Sequence, residues 1–78
     1  MNYFEEEHEW VRKNFDLEEI LDFAKKHSFE ITRESDYMFF LWVDRNPKGG
    51  WGGTLTPMMA LVKGIKEYKE YNNENSTL

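Results

Sequence analysis

The chain has 78 residues, a formal net charge of −5 and no cysteine. That length leaves room for one domain. The missing thiols exclude a disulfide framework and a thiolate metal centre, and an anionic chain repels phosphate backbones, which argues against general nucleic-acid binding.

The charge is uneven. Residues 1–39 carry 11 acids and 5 bases, while residues 40–78 carry 4 acids and 5 bases. An acidic half of this kind fits a basic partner or plain solubility. A chain this short buries only about 60% of its unfolded surface. Six Phe, four Tyr and three Trp are the available substitute for a larger core. The N-terminus, MNYFEEEHEW, is acidic where a signal peptide needs a basic start and an apolar run. The longest apolar run, Tyr37–Val43, is too short to span a bilayer. The expectation is a cytoplasmic protein with no membrane contact, folded as one globular α+β domain over residues 1–72 with a disordered polar tail at 73–78.

Asn2–Lys13 reads as a helix with Tyr3, Phe4, Trp10 and Val11 on one stripe. Its acids come early and Arg12 and Lys13 late, which complements the helix dipole. Phe15–Ile20, FDLEEI, carries the clearest local signal. Asp16 and Glu19 stand at capping-box spacing, and Phe15 and Ile20 at hydrophobic-staple spacing. Leu17, Ile20, Leu21 and Ala24 then predict the buried stripe of a second helix, closed by Lys25, Lys26 and His27.

Phe29–Arg33 alternates apolar and polar residues and predicts a half-buried strand. Glu34–Asp36 is a turn, and Tyr37–Val43, YMFFLWV, is a strand with apolar residues on both faces. Asp44–Gly50, DRNPKGG, is turn chemistry throughout. Trp51–Leu55 is a short, glycine-weakened third strand. Thr56 and Pro57 start the last helix as N-cap and first helical residue. Its apolar stripe is Met58, Leu61, Val62, Ile65 and Tyr68, with Lys63–Glu67 and Lys66–Glu70 as i,i+4 pairs. The fold class is α+β in the order α-α-β-β-(β)-α, with a small antiparallel sheet packed against helices.

From Asp16 onward, the order α-β-β-β-α resembles that of double-stranded-RNA-binding domains, over about two-thirds of the chain and in topology alone. Those domains present a lysine cluster where the last helix starts. Here that start reads TPMMALVKG, with no base before Lys63, so the resemblance does not imply RNA contact.

No enzymatic constellation is present in the sequence. His8 lies in EEEHEW, which is not HExxH, and none of Ser28, Ser35 or Ser76 sits in a nucleophile elbow. We expect no metal, no cofactor and no catalysis. Two surfaces remain as candidates. The acidic first helix, with Glu5, Glu6 and Glu9, and the aromatics Phe40, Trp42 and Trp51 would bind a protein partner, a basic one, without direct nucleic-acid contact. Compact acidic chains of this type are similar in kind to phage-encoded inhibitors of host nucleic-acid enzymes and to anti-CRISPR proteins. Alternatively, Gly50, Gly52, Gly53, Thr54 and Thr56 form a glycine-rich entry to a helix N-terminus, which can hold a phosphate or nucleotide. The second face of YMFFLWV needs a cover, either helix 2–13 in a monomer, or a second copy in a homodimer or a partner protein. Trp51, flanked by glycines, either projects toward a partner or folds back on the core.

Overall fold

A computed structural model describes residues 3–45 and 50–76. The elements are α1 (Tyr3–Asn14), α2 (Leu17–Lys26), β1 (Phe29–Ser35), β2 (Met38–Val43), β3 (Trp51–Thr54) and α3 (Pro57–Ser76). The expected α-α-β-β-β-α order and antiparallel sheet are both present. Of the turn expected over Asp44–Gly50, residues 46–49 lie outside the described residues, as do Asn2, Thr77 and Leu78.

Asp16 starts α2 as its sequence position predicts. Its backbone is extended, and Oδ1 accepts the N–H groups of Glu18 at 3.0 Å and Glu19 at 3.2 Å. His27 ends the helix, its N–H donating to the Phe23 carbonyl at 2.9 Å. The buried stripe differs from expectation. Phe23 is buried and Ile20 half-buried, while Leu17 and Leu21 stay 56% and 52% exposed. Phe15, the expected staple residue, is 44% exposed. The reason is the side from which α3 approaches. Tyr68 meets the Phe23 ring edge-on at 5.7 Å, and Lys66 and Lys69 reach Glu19 at 3.8 and 3.6 Å. That contact selects Glu19, Ile20 and Phe23 and leaves the two leucines outside.

The three strands lie in the order β1-β2-β3. Phe29 stands opposite Val43 and Ile31 opposite Leu41, whereas Glu30 stands opposite Trp42 and Thr32 opposite Phe40. Period-two alternation therefore sorts Phe29, Ile31, Leu41 and Val43 to the inner face and Glu30, Thr32, Phe40 and Trp42 to the outer one. Leu41, Val43, Phe23 and Ile65 are the buried core, with Ile20, Trp51, Leu61 and Tyr68 packed around them. α3 crosses the inner face closely enough that a Cβ on Gly64 would stand 2.8 Å from Leu41 Cβ.

Helix α1 does not cover the outer face. It packs on α3 and buries none of its own residues. The cover expected from Tyr3, Phe4, Trp10 and Val11 is thus corrected: a polar tether, described below, holds α1 at the β3–α3 junction. α3 also exceeds its expected end. It runs to Ser76, through residues expected to form a loose tail, and Asn72 Nδ2 caps back onto the Tyr68 carbonyl at 3.1 Å. The predicted pairing of Lys66 with Glu70 gives way to Glu19 on α2, because a tertiary acid is in reach. Lys63 and Glu67 form no ion pair among the described residues, and Glu67 Oε1 is buried without a hydrogen bond.

Candidate functional site

The glycines around Trp51 do three separate jobs. Gly50 and Gly53 seat the Phe40 ring on the outer face, since a Cβ on either would stand 2.6 Å from Phe40 Cβ or 3.2 Å from Phe40 Cε1. Gly52 lies under α3, where its missing Cβ would be 3.1 Å from Ala60 Cα. Gly52 and Gly53 also take φ of 98° and 62°, in the region that L side chains avoid. The register shifts here, between Phe39 and Phe40 on β2, and the two consecutive glycines face opposite sides of the sheet, Gly52 toward Ala60 and Gly53 toward Phe40.

Trp51 turns inward. It is half-buried and meets Tyr68 at 6.0 Å and Tyr71 at 5.4 Å between ring centroids. Of the two readings of this residue, the structure has the one in which it folds back on the core. Its glycine neighbours serve Phe40 and α3 and do not project the indole.

The start of α3 is already occupied by an anion from the same chain. Glu7, on α1, accepts the N–H of Leu55 through Oε2 at 2.9 Å. Its Oε1 accepts the N–H of Thr56 at 3.1 Å and the Thr56 hydroxyl at 3.0 Å. Thr56 Oγ1 in turn accepts the N–H of Met59 at 3.3 Å, completing the N-cap. Thr54 is buried and donates its hydroxyl to the Thr56 carbonyl at 2.8 Å. Thr54 and Thr56, two of the candidate anion ligands, therefore spend their hydroxyls inside the fold. A carboxylate at a helix N-terminus is electrostatically favoured, and here Glu7 supplies it. Nothing in the sequence around Glu7 signals this role, because its partners lie 48 and 49 positions away.

The outer sheet face carries Met38, Phe40 and Trp42 along β2. Met38 is 40% exposed and the two aromatic rings are half-buried. Trp42 Nε1 donates to Thr32 Oγ1 at 2.6 Å, and that hydroxyl donates to Glu34 Oε1 at 3.3 Å. The relay fixes the indole and sets a carboxylate beside it. Glu30 stands opposite Trp42, and the two share a groove of about 300 Å³ with Ser28, Phe29 and Arg45. Glu30, Thr32, Glu34 and Met38 were not among the candidate binding residues named from sequence. The alternation of β1 with YMFFLWV was the signal that could have found them.

Glu5, Glu6 and Glu9 are exposed on α1, and Glu9 pairs with Arg12 at 3.3 Å. α1 packs on α3, and no hydrogen bond or ion pair among the described residues joins these acids to the outer sheet face. Where α2 meets β1, Asp44 accepts the Ser28 N–H at 3.0 Å and lies 2.7 Å from His27 Nδ1. The His27 hydrogen bond, foremost, holds the Asp44 carboxyl below its usual range against the opposing effect of desolvation, and the Ser28 N–H adds to it. Asp44 takes φ of 53°, which an aspartate tolerates. This cluster clamps the strand start.

Among the described residues no three His, Asp or Glu side chains converge on a metal-sized position, and no helix is long and apolar enough to cross a membrane. The chain matches no family model, no curated protein and no solved structure.

Proposed function

We propose that this protein is a small, acidic, non-enzymatic binding module that docks on a basic protein through the outer face of its sheet. The observation that carries this reading is that face itself: Met38, Phe40 and Trp42 lie in a row with no helix packed over them among the described residues, and Glu30 and Glu34 border the row. Aromatic anchors beside carboxylates suit a partner that offers Lys or Arg next to apolar surface. Such a partner would be a nucleic-acid-handling protein whose phosphate-binding surface the acids occupy, which is how an inhibitor of the phage-encoded type would act. Trp51 belongs to the scaffold in this scheme. The acids of α1 contribute long-range attraction. The anion-binding alternative is weakened by Glu7, which already takes the N–H groups of Leu55 and Thr56.

The test is affinity capture from the native host with tagged wild type and with the double charge reversal Glu30→Lys, Glu34→Lys. Both positions are exposed, so the fold should survive. A basic protein held by the wild type and lost from the variant supports the reading. A partner retained equally by both, or a nucleotide in place of a protein, overturns it.

A further inference from the structure

The exposed leucines of α2 form a second surface, separate from the sheet. Leu17, Leu21 and Ala24 stand at i, i+4 and i+7, and all three are exposed. At about 100° per residue they fall in one strip about 60° wide, roughly a quarter turn from Ile20 and Phe23, which face the core. The strip's border away from Ile20 is formed by Glu18 and Lys25, each one position beyond a strip residue. Other charges on this helix are engaged: Asp22 with Lys26 at 3.1 Å, and Glu19 with Lys66 and Lys69. Glu18 and Lys25 have no ion partner among the described residues.

We propose that this strip pairs two copies of the chain, α2 against α2, antiparallel about a two-fold axis at Leu21. Under that axis Leu21 meets the partner's Leu21 and Leu17 meets the partner's Ala24. Glu18 then faces the partner's Lys25, and Lys25 faces the partner's Glu18. A two-fold interface must be self-complementary, and the acid-first, base-last order of the border satisfies that only in the antiparallel sense. Parallel pairing would carry the two charged borders to opposite edges of the interface, where Glu18 and Lys25 meet neither of the partner's two. The strip spans one ten-residue helix, so the interface falls below the roughly 1,200 Å² of a standard complex and the dimer is weak. The net charge of −5 opposes it further, which makes the local attraction decisive. The outer sheet face stays free in such a dimer, so this inference and the docking reading stand or fall separately.

The experiment is sedimentation equilibrium from about 1 µM to about 1 mM, the range of a weak dimer, with helicity checked by circular dichroism. Wild type should dimerise within that range. Glu18→Lys alone and Lys25→Glu alone should each raise the dimer dissociation constant roughly tenfold or more, since each sets like charges face to face twice. An equimolar mixture of the two should restore dimers, because both cross-pairs are then attractive. The double swap Glu18→Lys, Lys25→Glu in one chain should regain homodimers by the same logic, and it serves if either single variant folds poorly. Glu30→Lys with Glu34→Lys should not weaken association, since neither position lies on the strip and the change lowers the net charge that opposes pairing. A wild type that stays monomeric, single variants that associate like wild type, or a mixture that stays monomeric overturns the proposal.

Discussion

Glu7 and Thr56, 49 positions apart, are joined by two hydrogen bonds to one carboxylate oxygen, from the Thr56 N–H at 3.1 Å and its hydroxyl at 3.0 Å. With the Leu55 N–H on the other oxygen, a single side chain caps α3 and tethers α1. α1 has no buried residue, so this contact carries much of its attachment. Glu7→Ala should therefore cost about 2–3 kcal/mol, the scale for hydrogen bonds to a charged group plus donors left unmet. Glu7→Gln, which keeps an acceptor oxygen, should cost about half as much. Urea denaturation measures both, and hydrogen exchange should show α1 amides opening first in the alanine variant. Equal stability of all three proteins would mean the tether contributes nothing.

Trp51→Ala should lower stability by about 2–4 kcal/mol, toward the lower part of the range for buried aromatics because the ring is only half-buried. Tyr68 and Tyr71 lose a ring contact each. At temperatures where the variant is folded, partner capture should match wild type. A variant of full stability that loses its partner would assign Trp51 to the docking surface instead.

Gly64→Ala separates propensity from packing. In an exposed helix this change stabilises by about 1 kcal/mol. Here the added methyl would meet Leu41 Cβ and Cδ2, each at 2.8 Å, and Leu41 is fully buried. Overpacking of that kind costs about 1–3 kcal/mol, so the net effect should be a loss. A rise in melting temperature would show that α3 sits further from the sheet.

Asp44 sets an acid limb. Its carboxyl titrates below the unfolded value of about 3.9, with the His27 hydrogen bond as the main cause. A depressed carboxyl contributes stability that is present in full above the unfolded value and is lost as pH falls through the folded one. Wild type should therefore lose this contribution below about pH 4. Asp44→Asn tolerates the same backbone angle and cannot ionise, so its stability curve should be flatter in that window. Parallel acid limbs for the two proteins would show that the clamp does not couple to pH.

Much of the fold was legible because it rests on local rules. Asp16 caps α2 by reaching the N–H groups two and three positions on, and alternation places Ile31 and Glu30 on opposite faces whatever lies beyond. The site was legible only in part. Phe40 and Trp42 stood out as surplus aromatics, but Glu30 and Glu34 become their neighbours only through the β1–β2 register, which one residue of slip would reverse.

The sequence by itself determined the element order, the caps, the antiparallel hairpins and the acidic character, because each depends on residues within a few positions or on composition alone. Tertiary structure decided which face each element buries. Leu17 and Ile20 are both apolar and both on α2, yet only the side facing α3 gains burial, and nothing local to α2 states where α3 will lie. The same holds for GGWGGTLTP. Gly50, Gly52 and Gly53 leave room where Phe40 and Ala60 approach, and its helix N-terminus is filled because Glu7 arrives from 49 positions upstream of Thr56. Those are contacts between distant segments, made only once the chain has closed.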